Sequence, residues 1–382
     1  MYQISTLNKI APAGLGRLTE QYMITDDIQE ADGILVRSQD MHEMELSREL
    51  KAIARAGAGV NNIPLEKCAE AGIVVFNTPG ANANAVKELV LCGMLLAARN
   101  IPAALKWASE LDSDVSATVE KGKAQFAGGE ISGKTLGVVG LGAIGRKIAA
   151  AAANLGMNIV GYDPFVTSLE GVTVYKDLSE MLGFCDYITL HLPANDATKG
   201  MINKDAFQAM KDGAVLLNFS RDKLVNDVDL VVALETGKLS KYVSDFPNDN
   251  LVGRSGIILL PHLGASTAEA EDNCAAMAVD QMMNYFENGN IINSVNFGKV
   301  DMGPLEKGTR LSFFVKDIED PATAVIEMLS AAQIEVAQIM VGKSSKTDMS
   351  YVLVHVEQEG LQRLLFDGEK GSHIVRHRAI EA

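Results

Sequence analysis

Gly137-Val-Val-Gly-Leu-Gly-Ala-Ile-Gly145 is the stretch from which the fold of this chain can be read. The apolar run Thr135 to Val139 reads as a buried strand, and Gly140, Gly142 and Gly145 follow it in G-x-G-x-x-G spacing. Arg146 to Leu155, rich in alanine, reads as the next helix. Strand, turn and helix in this order are the context a dinucleotide fingerprint requires. Gly140 allows the tight turn, Gly142 a close approach of a pyrophosphate to the backbone, and Gly145 close packing of helix on strand. The N-terminus of the helix then offers free N–H groups and a positive dipole end to phosphates. The plain alternative is a glycine-rich turn in some other α/β protein.

The next segment narrows the choice. Met157-Asn-Ile-Val-Gly-Tyr-Asp163 is a second apolar strand ending in an acid. A carboxylate there accepts hydrogen bonds from both ribose hydroxyls and repels a 2′-phosphate, and Pro164 and Phe165 supply no cation, so the cofactor expected is NAD and not NADP. Downstream, Asp186 to His191, Ala214 to Asn218, Lys241 to Asp245 and Ile257 to Leu260 read as strands. They alternate with helical stretches at 178–181, 204–210 and 227–236. Such alternation implies a Rossmann-type doubly wound parallel sheet with right-handed crossovers.

Upstream, residues 1–96 read as a smaller α/β domain. Its strands are Gly33 to Val36, Ile53 with its neighbours, and Gly72 to Phe76, and a long apolar helix starts near Asn84. Residues 107–123 read as charged and less regular. A long Ala/Met-rich helix, Thr267 to Phe286, returns the chain to the first domain, and Asn290 to Phe297 closes it. The expected division is 1–96 plus 285–300 for a discontinuous, flavodoxin-like substrate domain, 97–284 for the NAD-binding domain, and 307–382 for a third unit. In that third unit, strands at 311–315, 334–341 and 351–356, a helix at 321–332, a helix near Leu361 and a last strand after His373 give the β-α-β-β-α-β order of the ferredoxin-like plan.

At 382 residues and 47% hydrophobic content the chain can bury more than one core. A formal charge of -15 argues against nucleic acid or an anionic membrane as the main partner, so an anionic substrate has to be drawn in by a local basic cluster. Cys68, Cys92, Cys185 and Cys274 are scattered, without a C-x-x-C pair or a histidine cluster. They read as reduced thiols of a cytoplasmic protein with no metal site.

Ligands of open α/β sheets bind beyond the carboxyl ends of the strands. In the first domain those ends carry Val36-Arg37-Ser38 and Arg55-Ala-Gly-Ala58-Gly59, which together suggest an anion site. Either arginine taken alone reads as a solvated charge. In the central domain the strand ends carry His191, Arg221, Asp245, Asp249 and His262. Hydride transfer from a hydroxy acid needs a cation for the carboxylate, a base for the hydroxyl proton and an acid that tunes the base. Arg221, His262 and Asp249 take those roles, and His191 reads as a packing residue.

Taken together, Arg37-Ser38, Arg55-Ala-Gly, Gly140-Leu-Gly-Ala-Ile-Gly145, Gly161-Tyr-Asp-Pro164, His191-x-Pro193, Ser220-Arg221 and Pro261-His-Leu-Gly-Ala-Ser-Thr267 resemble the D-isomer-specific 2-hydroxyacid dehydrogenases over residues 1–297. The resemblance implies Arg221 and His262 as catalytic residues. It also implies cofactor contacts from Ala143, Ile144, Asp163, Phe219, Ser220, Arg221 and Asp245, with His262 to Gly264 bordering the nicotinamide. Arg37 and Arg55 match the arginines that hold the substrate phosphate in the phosphoglycerate-oxidising members. Ser38 belongs to the same motif, while Ala58 and Gly59 lend backbone N–H groups to the substrate carboxylate held by Arg221. The implied reaction is oxidation of 3-phosphoglycerate with NAD, the first step of serine synthesis, by a homodimer or homotetramer. The alternatives are a hydroxypyruvate or glyoxylate reductase of the same family, or a protein that binds NAD(H) as a sensor.

Three departures from the family pattern stand out. The arginine is followed by Asp222-Lys223 in place of glycine. Counting from Asp245 puts Asn250 where the family has its catalytic glutamate, and Asp249 reaches that place only by a shift of one residue. The last unit resembles an ACT-type regulatory domain, but Val315-Lys-Asp-Ile-Glu-Asp320 lacks the asparagine and glycine of the usual effector loop.

Overall fold

The computed structural model describes residues 1–361 and 373–382. They fall into two compact units, Ala83–Ala270 and the remainder, Met1–Asn82 with Glu271–Ala382.

The first unit begins with five strands: β1 (Tyr2–Thr6), β2 (Tyr22–Ile24), β3 (Gly33–Val36), β4 (Ala52–Arg55) and β5 (Val74–Phe76). All neighbours are parallel, in the order β2-β1-β3-β4-β5, which is the flavodoxin-like arrangement. The short helices α1 (Pro12–Leu15) and α2 (Leu65–Glu70) connect them. β3 and β5 are buried along their whole length and so read as continuous apolar runs. β1 and β2 escape the pattern because Gln3, Ser5 and Thr6 interrupt the first and the second is a three-residue edge strand.

The second unit starts with α3 (Ala83–Ala98), α4 (Ile101–Ser109) and α5 (Val115–Gly122). The stretch expected to be irregular is therefore mostly helical. After it come β6 (Thr135–Val139), α6 (Ala143–Asn154), β7 (Asn158–Tyr162), β8 (Thr173–Tyr175), α7 (Leu178–Leu182), β9 (Tyr187–Leu190), α8 (Lys204–Ala209), β10 (Ala214–Asn218), α9 (Asp227–Glu235), β11 (Leu239–Ser244) and β12 (Ile257–Leu259). The sheet order is β12-β11-β10-β9-β6-β7-β8, parallel throughout. The order reverses between β6 and β9, the switch point at which such sheets open their ligand crevice. α3 lies in this unit from its first residue, because Val86, Val90, Met94 and Ala97 share a core with Leu136, Val138 and Ile148. The division therefore falls at 82/83 and 270/271, not at 96/97 and 284/285.

Helix α10 (Ala268–Asn288) leads back to the first unit. There Ala275, Ala278, Val279, Met282, Tyr285 and Phe286 pack with Ile4, Leu35 and Phe76. Ser294 bridges to Phe76, which closes the first sheet as expected. The chain ends in β13 (Thr309–Lys316), α11 (Pro321–Ala331), β14 (Gln338–Lys343), β15 (Met349–Val356) and β16 (Ile374–Glu381). These strands are antiparallel in the order β14-β15-β13-β16, the ferredoxin-like arrangement. The helix expected near Leu361 falls on 362–372, outside the described residues.

This last sheet, separate from the other two, packs on the core of the first unit. Phe314, Met349, Tyr351 and Leu353 complete the core formed by Phe76, Tyr285 and Phe286. Two arginines fasten the sheet to the C-terminal end of α10. Arg310, only 3% exposed, donates to the carbonyls of Asn288, Met302 and Gly303 at 2.7–2.9 Å. Arg378 donates to the carbonyl of Tyr285 and lies 4.2 Å over its ring. A helix C-terminus leaves carbonyls without intrahelical partners, and a cation is the group best suited to accept that role. Among the described residues no single helix is long and apolar enough to cross a bilayer.

Candidate active site

Strand register builds the site of the second unit. Tyr162, Val139, Leu190, Asn218, Ser244 and Leu259 lie side by side across six strands. The next residue on each strand leaves the sheet at the same edge, so Asp163, Gly140, His191, Phe219, Asp245 and Leu260 form one row. Parallel pairing makes this inevitable once the strands end in register.

At the switch point Gly140 has φ +97°, and a Cβ there would overlap the carbonyl oxygen of His191. A Cβ on Gly145 would likewise overlap the carbonyl of Gly140, so the helix can approach the strand only through glycine. A Cβ on Gly142, by contrast, would meet no protein atom within 4 Å. The demand for glycine at that position therefore fits a ligand lying against the backbone. No side chain caps α6, so the first-turn N–H groups of Ala143 and Ile144 are available to an anion. Asp163 is fixed by the N–H groups of Leu141 and Phe165, both at 2.8 Å, at the end of β7. These residues fit the pyrophosphate and ribose of a dinucleotide.

The other end of the row is built on β10, β11 and the turn after β12. Buried Asn218 donates to the carbonyl of Arg221 at 2.9 Å and accepts from the N–H of Ser220 at 3.2 Å. It thereby shapes the Phe219-Ser220-Arg221 turn. The Ser220 hydroxyl donates to the carbonyl of Leu192 at 2.6 Å, and the Arg221 side chain is exposed. Asp245, 1% exposed, accepts from the N–H groups of Leu263 and Gly264, each at 2.7 Å. Burial raises its pKa, and those N–H groups partly offset the rise. The turn that Asp245 grips carries His262 at φ +55°, an uncommon conformation for a non-glycine residue. The exposed His262 ring lies 5.0 Å from that of Phe246.

The expected acid does not pair with this histidine. Asp249 is exposed, and no hydrogen bond or ion pair joins it to His262. The loop turns elsewhere, because the side-chain amides of Asn248 and Asn250 both donate to Asp227 at the start of α9, at 3.1 and 3.2 Å. His191 has its Nε2 2.8 Å from the Thr189 hydroxyl, and burial pushes its pKa down to about 3. It stays neutral in the working range, as a packing residue would.

The first unit holds a second constellation. Val36 and Arg55 are register partners, so Arg37 leaves β3 beside the end of β4. Asn8, which no local motif marks, accepts from the N–H groups of Arg37, Ser38 and Gln39 at 2.9–3.1 Å and sets that turn. Arg55 donates through Nε to Asn62 at 3.2 Å, and its guanidinium lies over Gly57. Asn77 donates to the carbonyl of Ala58 at 2.7 Å. Among the described residues the N–H groups of Ala58 and Gly59 donate to no protein acceptor. Two guanidinium groups beside free loop amides are suited to a phosphate or carboxylate.

Residues 91–264 match the family model described as D-isomer specific 2-hydroxyacid dehydrogenase, NAD binding domain. This segment belongs to that family. Over 352 residues the chain is 34% identical to the D-3-phosphoglycerate dehydrogenase of Methanocaldococcus jannaschii, covering 87% of this chain and 64% of that protein. Among solved structures it is similar to the NAD+-bound 3-phosphoglycerate dehydrogenase of Entamoeba histolytica, with TM-score 0.63 and 27% identity over 77% of this chain and 98% of that one. It is also similar to an NADPH-dependent glyoxylate/hydroxypyruvate reductase of Sinorhizobium meliloti, with TM-score 0.68 and 25% identity over 77% and 98%. The chain spans between 47% and 64% of the length of the curated relatives it matches.

Proposed function

We propose that this chain oxidises 3-phosphoglycerate to 3-phosphohydroxypyruvate with NAD. The observation that carries the reading is the pair Arg37 and Arg55 at adjacent strand ends, beside the loop amides of Ala58 and Gly59. A phosphorylated hydroxy acid has an anion to match them, which lactate and glycerate lack at that end. Arg221 holds the substrate carboxylate and polarises the C2 oxygen. His262 takes the hydroxyl proton at C2. NAD, when bound, supplies the acceptor for the hydride that leaves C2. Gly140, Gly142, Ala143, Ile144, Gly145 and Asp163 hold its pyrophosphate and ribose, and Phe219, Ser220, Asp245 and Gly264 border the reacting end. The test is NADH formation with 3-phosphoglycerate, against glycerate and D-lactate. Removing one charge-assisted anion contact in Arg55→Ala should lower kcat/KM for the phosphorylated acid by about one to two orders of magnitude and that for glycerate far less. Absence of turnover by the wild type sinks the proposal. A chain that reduces hydroxypyruvate but ignores phosphoglycerate is instead the reductase, a reading supported by the likeness to the Sinorhizobium enzyme.

The chain works as a homodimer or homotetramer on this reading, in the cytoplasm, where its four cysteines stay free. Helices α4 and α5 bury none of their own residues, and Leu105 and Val115 are 64% and 49% exposed near the Trp107–Phe126 ring pair. An apolar surface of this kind calls for a partner, and a second copy is the simplest one. Light scattering should give a dimer or tetramer mass for the wild type and a smaller species for Leu105→Glu. A wild-type monomer overturns the assignment.

A further inference from the structure

One contact in the first unit has no place in the scheme above. Glu271, in the first turn of α10, pairs through Oε1 with Arg37 Nη2 at 2.7 Å, with both side chains about two-fifths exposed. One turn further along the same helix, buried Cys274 lies in the fields of Arg37, Arg55 and Glu271 together. The start of α10 thus sets a carboxylate against one arginine of the anion site.

The charges define the consequence. Two guanidinium groups carry +2 and Glu271 returns -1, so the cluster meets a phosphate monoester of about -1.5 to -2 with a net charge of only +1. A guanidinium has more than one edge that donates hydrogen bonds. Glu271 occupies one edge of Arg37 and leaves another for the ligand. It aims the arginine and at the same time opposes any anion placed on it. We propose that Glu271 is a specificity-determining residue that weakens the hold of the Arg37–Arg55 site on the substrate phosphate, favouring release of a phosphorylated product over tight retention. The inference rests on the phosphate reading of that site.

Glu271→Gln isolates the effect, because the amide keeps an acceptor oxygen for Arg37 and removes only the charge. With the full-length chain and NAD, KM for 3-phosphoglycerate should fall by about tenfold relative to KM for glycerate, and kcat should change much less. The gain should shrink as salt is added, since the site is partly exposed. If the wild type oxidises 3-phosphoglycerate and the variant leaves the KM ratio within twofold or raises it, Glu271 has no such role, while the proposed reaction stands. If the wild type oxidises no phosphorylated acid, the reaction fails on its own. Calorimetric titration with inorganic phosphate then decides the inference separately: tighter binding to the variant supports it, and equal or weaker binding overturns it.

Discussion

Replacing His262 by asparagine should lower kcat for 3-phosphoglycerate oxidation by about three orders of magnitude, while Kd for NADH stays close to that of the wild type. General acid–base catalysis contributes about 10²- to 10⁴-fold, and in the proposed reaction His262 is the imidazole that supplies it. It follows the last strand of the second unit on an exposed turn, whereas His191 is half-buried and held neutral with its pKa pushed down to about 3. The backbone at His262 is also in the left-handed region, at a cost of about 1–3 kcal/mol that ordinary packing does not require. What orients the ring here is the Phe246 ring and the turn held by Asp245, not a carboxylate on the loop. Asparagine keeps a polar side chain of similar reach but cannot take a proton. Added imidazole should restore part of the lost rate to His262→Ala. Retention of kcat within tenfold in the asparagine variant would show that the proton leaves by another route. Asp249→Asn should cost far less than the loss of His262, because no hydrogen bond or ion pair joins Asp249 to the ring.

The contrast between these two residues shows where a linear reading succeeds. Gly140, Asp163, His191, Phe219 and Asp245 could be placed in one row because each follows an apolar run, and parallel register carries such ends to one edge of the sheet. Arg37 and Arg55 were brought together by the same logic in the other sheet. The position of Asp249 depends instead on the course of a loop, and two asparagines with a distant acceptor at Asp227 decide that course. No periodicity records such a choice. Glu271 was invisible for a related reason, since its partner lies at the far end of the sequence distance spanned by the second unit. Helices α4 and α5 are not legible in the sequence because neither buries a residue, so no buried apolar face of helical period marks them. The last sheet has the strand order its pattern implies. Its merger with the first unit was not legible, because it rests on contacts such as Tyr351 against Tyr285.

Asp245→Asn should lower kcat/KM by about 10²-fold or more, although the side chain it introduces has nearly the same shape. Both carboxylate oxygens of Asp245 accept backbone N–H groups, from Leu263 and from Gly264. An amide offers one acceptor and one donor, so one of those N–H groups would face another N–H. The cost of a buried donor left without its acceptor is about 1–3 kcal/mol, applied to a turn already strained at His262. The turn should relax, and the imidazole with it, which makes Asp245 a positioning residue for the base. Stability gives a second readout with a defined sign. The native pKa of Asp245 is raised, chiefly by burial, above its unfolded value. Between those two values the native state binds more protons than the unfolded state, so the stability contributed by this group falls as pH rises and is recovered as pH falls. The wild type should therefore gain stability relative to Asp245→Asn on going from neutral to acid pH, read as the difference in urea midpoints. Activity within tenfold of wild type would remove Asp245 from the placement of His262. A midpoint difference that moves the opposite way with pH would show that its N–H partners outweigh its burial.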